Sequence, residues 1–281
     1  MELSDLRIFL AVAREQSVTR AAQALDRVPS NVTTRIQQLE DRLGHALFTR
    51  ENKRMLLSDA GQTLAAYAVR LLDLAQEAEQ ALRAAEPGGR LRLGSMESAA
   101  ASRLPAPLAR LHARWPDLDI QLRTGTTRFL ADAVASHALD CAIVAHPGAE
   151  RPADVDALGT GLHGEYLFTE ELLLVMPPGG ASPRALATFA RGCAYRERAE
   201  QWLRETGTDP GRLQMLELAS YHAILACVMA GSAMAVLPRS VLALQPASPP
   251  ARAIGPAHCF LIRRKGHDSA NYQALLGALR D

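Results

Sequence analysis

Through residue 85 the apolar positions recur three and four apart, as in helices with one buried stripe; from residue 90 short alternating runs take turns with helical ones. Leu6, Phe9, Leu10 and Ala13 share one face of a helix over Leu3–Arg14. A second helix, Ser17–Leu25, opens on Ser17 as N-cap, and its small Ala21, Ala22 and Ala24 let another helix come close. Asp26, Arg27 and Val28 form a turn. Pro29 then starts a third helix, at the position where a missing N–H costs nothing. In that helix Val32, Ile36, Leu39 and Leu43 make a single stripe, and Gly44 stops it. A hairpin follows, Ala46–Arg50 and Arg54–Leu57, joined by Glu51-Asn52-Lys53.

Ser58 or Asp59 caps a long proline-free helix, Ala60–Ala85, that ends before Pro87-Gly88-Gly89. Leu64, Ala68, Leu71, Ala75, Ala78 and Leu82 alternate by four and three along it, with Leu72 and Leu74 beside them. Such a seam serves a helix lying on its own domain. Its length and its alanines fit pairing with a second copy better.

From Arg90 the pattern reads βαβαβ: strand Arg90–Gly94, a helix start at Ser95–Ala101 continued by Leu104–Arg114, strand Leu118–Thr124, helix Phe129–His137, strand Leu139–Ala145. Tyr166–Met176 supplies further strands. A second unit follows, with strands Leu186–Ala190, Leu213–Leu218 and Ala233–Leu237 and helices Arg196–Thr206 and Tyr221–Ala230. The chain closes with strand Cys259–Arg263 and helix Asn271–Leu279. This alternation predicts parallel sheets with right-handed crossovers, in two α/β lobes with a cleft between them, like periplasmic binding proteins. The connection Gln245–Ala257 is short for a second crossing between lobes.

Composition changes this picture little. The 281 residues carry a net charge of +1, so the useful signal is local: Arg27, Arg35, Arg42, Arg50, Lys53 and Arg54 outnumber Glu40, Asp41 and Glu51 around the third helix and hairpin. Cys141, Cys193, Cys227 and Cys259 are scattered without metal-ligand spacing, which fits reduced thiols in the cytoplasm and calls for no metal or other cofactor. No signal peptide is visible, and the apolar runs near Glu171–Pro178 and Ala223–Leu237 are too short or mixed to span a bilayer, so no membrane partner is expected.

The third helix shows the chemistry expected of a reader of DNA. Its outward side, Ser30, Thr34, Gln37 and Gln38, is short and polar, as a helix entering the major groove requires. Arg27, Asn31, Thr33 and Arg35 complete the candidate contacts there, and Arg50, Lys53 and Arg54 on the hairpin suit phosphates or the minor groove. A plain helical hairpin with a solvated charged loop would also satisfy the pattern. In the α/β part, loops following strand ends hold ligands. That rule selects Glu97 and Ser98; Thr126 and Thr127; Cys193, Tyr195 and Arg196; and Ser220, Tyr221 and His222. Helix capping, interface packing or surface ion pairing would account for several of these as well. No GxSxG, HExxH or phosphate-binding glycine loop is present, and the serine and carboxylate of Gly94-Ser95-Met96-Glu97-Ser98 lack a spaced histidine; an enzyme is not expected.

Phe9-Leu10-Ala11-Val12-Ala13, Ser17-Val18-Thr19-Arg20-Ala21-Ala22, Thr33-Thr34-Arg35-Ile36-Gln37-Gln38-Leu39-Glu40, Leu47-Phe48-Thr49-Arg50 and Ala60-Gly61, in that order, resemble the LysR family of bacterial transcriptional regulators. Arg27 to Ile36 and Thr49 to Asn52 are similar to its putrescine-utilisation regulator subgroup. The chain departs from the commoner pattern in the third helix: Val28-Pro29-Ser30-Asn31-Val32-Thr33 stands where many members have Ser-Gln-Pro-Ala-Leu-Ser, so no operator can be carried over. The resemblance implies a winged helix-turn-helix DNA-binding domain (1–57), a linker and dimerisation helix (58–89) and a bilobed effector domain, lobe I being 90–162 with 264–281 and lobe II 163–263. It also implies double-stranded DNA as partner, a small-molecule effector, an amine or amino-acid-related metabolite for the subgroup, and self-association into dimers and from those into tetramers.

Overall fold

A computed structural model describes the chain except residues 52–53, 83–85, 147–149, 153–154, 156–157, 180–182 and 245–248, and the side chains of 76, 77 and 80–82. The chain forms two compact units, Met1–Ala84 and Ala85–Asp281.

In the first unit α1 (Leu3–Glu15), α2 (Val18–Ala24) and α3 (Pro29–Leu43) bury the stripes read from the sequence. Ser17 caps α2, accepting the Arg20 N–H, and Gly44 ends α3 in the left-handed region at φ 71°, where a side chain would be strained. The wing is β1 (Phe48–Glu51) paired antiparallel with β2 (Arg54–Leu57). Its tip residues Asn52 and Lys53 lie outside the described residues. Phe48 reaches back onto Phe9, with ring centroids 5.3 Å apart, so the wing helps to close the small core.

The long helix α4 (Asp59–Leu82) is capped by Ser58, whose Oγ accepts the Gly61 N–H at 3.0 Å. Gly61 has no substitute here: a Cβ on it would collide with the Leu47 carbonyl oxygen. The seam splits along the helix. Leu64, Ala65, Ala68 and Leu72 pack on the chain's own core, so the first half serves its own domain. Tyr67, Leu71 and Leu74 are exposed, at 56%, 38% and 52%, and exposed Ala78 continues their spacing of four, three and four. The outward stripe is therefore Tyr67-Leu71-Leu74-Ala78, rotated from the one expected; Leu82 lies outside the described side chains. The correction has a simple cause. Periodicity gives a helix two candidate seams, and only docking on the core shows which is already used.

The second unit is built on one eight-stranded sheet in the order β4-β3-β5-β10-β6-β9-β7-β8. In the first lobe β3 (Gly89–Ser95) lies parallel to both β4 (Leu118–Thr124) and β5 (Cys141–His146). Cys141 and Ile143 face a layer with α6 (Pro105–Arg114) and α11 (Ala270–Arg280); Ala142 and Val144 face the opposite layer with α7 (Thr127–Ala135). This is the alternation of a central strand buried on both faces. In the second lobe β7 (Ala185–Thr188) lies parallel to β8 (Gln214–Glu217) and β9 (Met234–Pro238), flanked by α8 (Ala194–Glu205), α9 (Tyr221–Met229) and the short α10 (Arg239–Leu242). The sequence reading had no counterpart for α10, because one turn carries no period to detect.

Two 14-residue strands join the lobes. β6 (Leu162–Val175) and β10 (Ala251–Arg264) pair antiparallel over nearly their whole length. Toward one end β10 also pairs with β5; toward the other β6 also pairs with β9. The expected separate strand Cys259–Arg263 is thus the end of a longer one. Gly255-Pro256 reads as a break, yet it is absorbed at a bulge between Ala253 and Gly255, with Gly255 at φ 130°. Among the described residues no helix is long and apolar enough to cross a membrane.

Candidate functional site

Two surfaces carry chemistry, one on each unit. On the first, α3 turns Val32, Ile36 and Leu39 inward and leaves Ser30, Asn31, Thr34, Gln37 and Gln38 exposed. Thr33 is half-buried, its hydroxyl donating to the Pro29 carbonyl at 3.0 Å. Arg27 reaches Asn31 Oδ1 at 3.5 Å across the turn. Arg50 and Arg54 are exposed on the wing.

Arg35 is placed differently from its exposed neighbours. Its guanidinium lies 3.3 Å from Asp5, a carboxylate only 3% exposed that also meets Arg42 at 3.4 Å and accepts the Glu2 N–H at 3.0 Å. Asp5 therefore ties α1 to α3 at two points about two turns apart and fixes how the outward face is presented. No sequence pattern exposes such a residue, since an aspartate in a first helical turn looks like dipole compensation alone. Asp5→Asn is expected to lower the melting temperature of the first unit by an amount equivalent to about 1–2 kcal/mol, because its buried oxygens lose charge-assisted partners. Calorimetry of the variant checks this; an unchanged transition would reduce Asp5 to a bystander.

On the second unit, a cavity of about 390 Å³ opens between the lobes at the C-terminal ends of β3, β4, β7 and β8. Glu97, Thr126, Thr127, Cys193, Tyr195 and Tyr221, all selected from the sequence, line it. Met96, Thr124, Gly125, Phe189, Ala190, Glu217, Leu218 and Ala219 also line it. The apolar members of that second group read as core, and only the folded cleft separates a lining residue from a buried one.

The other four selected residues are not among those lining the cavity. Ser220 caps α9, accepting from the N–H groups of His222 (3.1 Å) and Ala223 (3.4 Å). His222 is exposed beside Glu97, and its charged form would favour the carboxylate. Arg196, 6% exposed, is committed to Glu217 at 2.6 Å, Glu200 at 2.9 Å and the Phe189 carbonyl at 3.1 Å. Ser98 is buried behind the wall, its Oγ near the phenols of Tyr195 and Tyr221.

Two hydrogen bonds close the cleft from opposite sides. Glu97, at the start of α5 (Glu97–Ser102) in the first lobe, accepts the Tyr221 N–H of the second at 3.2 Å. Arg128 N–H, in the first lobe, donates to the Gly192 carbonyl of the second at 3.0 Å. Burial raises the Glu97 carboxyl above its ordinary 4.5, against the lowering effects of the Tyr221 amide and His222. No ion pair of Glu97 occurs among the described residues. Burial likewise pushes the Cys193 thiol and the Tyr195 phenol up, which disfavours their charged forms. Tyr195 hydroxyl meets Cys259 Sγ at 3.7 Å, and Tyr221 packs edge-on against Phe189, with centroids 4.8 Å apart.

The cleft combines an apolar, aromatic wall with few polar groups, and the first unit presents a polar helix face beside an arginine-bearing wing. Comparison with known proteins agrees with both halves. Residues 3–62 match the bacterial regulatory helix-turn-helix protein family of lysR type, and residues 84–281 match the LysR substrate binding domain. The chain belongs to the LysR family. It is 39% identical over 254 residues to the uncharacterized HTH-type transcriptional regulator YusT of Bacillus subtilis strain 168, covering 86% of this chain and 80% of that one. It is 34% identical to GltR of the same strain over 86% and 81%. In fold it is similar to a full-length OxyR variant from Pseudomonas aeruginosa (TM-score 0.69, 22% identity, 100% and 98% covered). It is equally similar to full-length CbnR complexed with its target DNA (TM-score 0.69, 20% identity, 100% and 99% covered). This LysR-type chain is thus a DNA-binding transcriptional regulator with an effector-binding domain, and the relatives named are regulators, not enzymes.

Proposed function

We propose that this regulator works in the cytoplasm as a dimer held by α4, and that its effector is an amine with an apolar body, bound between the two lobes that β6 and β10 join. The carrying observation is the charge balance of the cleft. Glu217 is neutralised by Arg196, whereas Glu97 is half-buried, without an ion pair among the described residues, and at the edge of an aromatic wall. An ammonium would supply the missing charge and compete with the Tyr221 amide for the same carboxylate. Phe189, Tyr195 and Tyr221 suit the apolar body. A ligand carboxylate finds less support, since Arg196 is already occupied by two glutamates. The putrescine-utilisation resemblance also pointed to an amine, but none of the relatives named above carries that function in its name, so the reading rests on the cleft.

Effector binding would change the grip of the lobes on each other through Glu97 and so bias the assembly on DNA. Thermal-shift screening of the full chain against alkyl and aryl amines tests this: a binding amine raises the melting temperature by mass action, and does so less in Glu97→Gln. If only carboxylates raise it, and Glu97→Gln leaves their effect intact, the amine reading fails.

The DNA contacts proposed are Arg27, Ser30, Asn31, Thr33, Thr34 and Gln38 on and before α3, and Arg50, Lys53 and Arg54 on the wing. Arg35 contributes to orienting α3 through Asp5. Asn31→Ala and Thr34→Ala are expected to change sequence preference. Arg50→Ala and Arg54→Ala are expected to weaken all duplexes alike and to reduce the salt slope by about one each. Binding isotherms at several salt concentrations separate the two classes; unchanged slopes for both wing variants would remove the wing from the interface.

A further inference from the structure

Val28 is out of place by the ordinary rules of helix ends. It is the N-cap residue of α3, with extended φ −85° and ψ 143°, and no side chain caps the helix. Serine, threonine, aspartate or asparagine would each do so, and valine is among the residues least suited to the position. Nor is Val28 there for burial. It is 62% exposed, the most exposed of the large apolar side chains among the described residues, and it is not part of the core that Val32, Ile36 and Leu39 build. Its backbone does hold the helix start, its carbonyl accepting from Asn31 N–H (3.1 Å) and Val32 N–H (3.3 Å), which places its side chain at the leading end of the helix. Pro29 restrains the chain on the following side.

We propose that Val28 is a specificity residue that packs against the C5-methyl group of a thymine in the major groove. This rests on the reading that the α3 face enters that groove. Apart from Pro29, the exposed groups around Val28 are polar or charged: Arg27, Ser30, Asn31 and Thr34 can bond to base edges or phosphates. The major groove offers one apolar feature, the thymine methyl, and an apolar side chain fixed at the tip of a reading helix is complementary to it. The exchange of a capping hydroxyl for methyl groups then gives up helix stability in favour of discrimination between thymine and cytosine. The two roles predict opposite responses to one substitution. If Val28 served the fold, Val28→Ser would lower the melting temperature. If it serves recognition, Val28→Ser restores a cap and holds or raises it, while recognition suffers.

Duplexes are first selected from a random library with the full-length protein. Each thymine of a selected duplex is then replaced singly by deoxyuridine, which removes only the methyl. The expected result is a thymine, repeated in each half-site, whose replacement weakens wild-type binding about three- to tenfold. At that position Val28→Ser binds both duplexes equally, and Val28→Thr, which keeps one methyl, lies between. Enriched duplexes in which no replacement effect disappears in Val28→Ser would overturn the assignment and leave DNA binding intact. So would a Val28→Ser variant that loses discrimination only together with a lowered melting temperature. Failure to enrich any duplex would remove the underlying reading and this inference with it.

Discussion

Leu71→Glu is expected to halve the mass of the assembly in sedimentation and to weaken binding to an operator with two half-sites by about a hundredfold or more, as the second half-site contact ceases to be intramolecular. Leu71 sits at the middle of the outward stripe Tyr67-Leu71-Leu74-Ala78 and is 38% exposed in the single chain, so a glutamate there removes little from the chain's own core. In a paired helix two such carboxylates would face each other in an apolar seam, where an unpaired buried charge is costly and dissociation is the cheaper outcome. A dimer held by α4 would then separate into single chains, hence the halving. Leu72→Glu supplies the contrast. Leu72 packs on the N-terminal core, so that variant should unfold the first unit at lower temperature whatever the oligomer. A Leu71→Glu protein of unchanged mass would show that the stripe has another use.

Glu97→Gln is expected to lower affinity for an amine effector by about tenfold to a hundredfold, the ~1.5–3 kcal/mol of a hydrogen bond to a charged group, while fold and DNA affinity persist. The pH dependence gives an independent check. Because the folded-state carboxyl lies above its ordinary value, the folded protein holds this proton more tightly than the unfolded chain does. The stabilising contribution of the protonated form is full below the unfolded value and is lost as pH rises through the raised one. Amine binding runs the other way: it needs the ionised carboxylate, strengthens as pH rises through that window and releases a proton there. Glu97→Gln should remove both dependences. Calorimetric titration in buffers of different ionisation enthalpy reads the released proton; an affinity flat in pH for the wild type would detach Glu97 from the ligand.

The sequence by itself determined the elements and most of the places where chemistry is offered. The stripe Val32-Ile36-Leu39-Leu43, the Ser17 and Gly44 ends and the βαβαβ alternation are local properties, set by side-chain period and backbone preference, and folding left them where they were read. The loops after strand ends were legible for the same reason: a helix start must follow, and its amides and hydroxyls face the cleft. Tertiary structure decided which candidates remain available. Arg196 and Arg35 look alike in sequence as free cations, but each meets a carboxylate from a distant part of the chain or a helix neighbour and spends its charge there. Of the two glutamates lining the cleft, Glu97 and Glu217, only Glu217 acquired an arginine. The linker seam was ambiguous by one helical face until docking on the core used up Leu64 and Ala68. Only the Cys259–Arg263 end of β10 was read as strand and the stretch before it as connection; pairing with β6 across a bulge carries the strand back to Ala251. Each of these outcomes depends on a contact between residues far apart in the chain, and local period and propensity hold no information about such contacts.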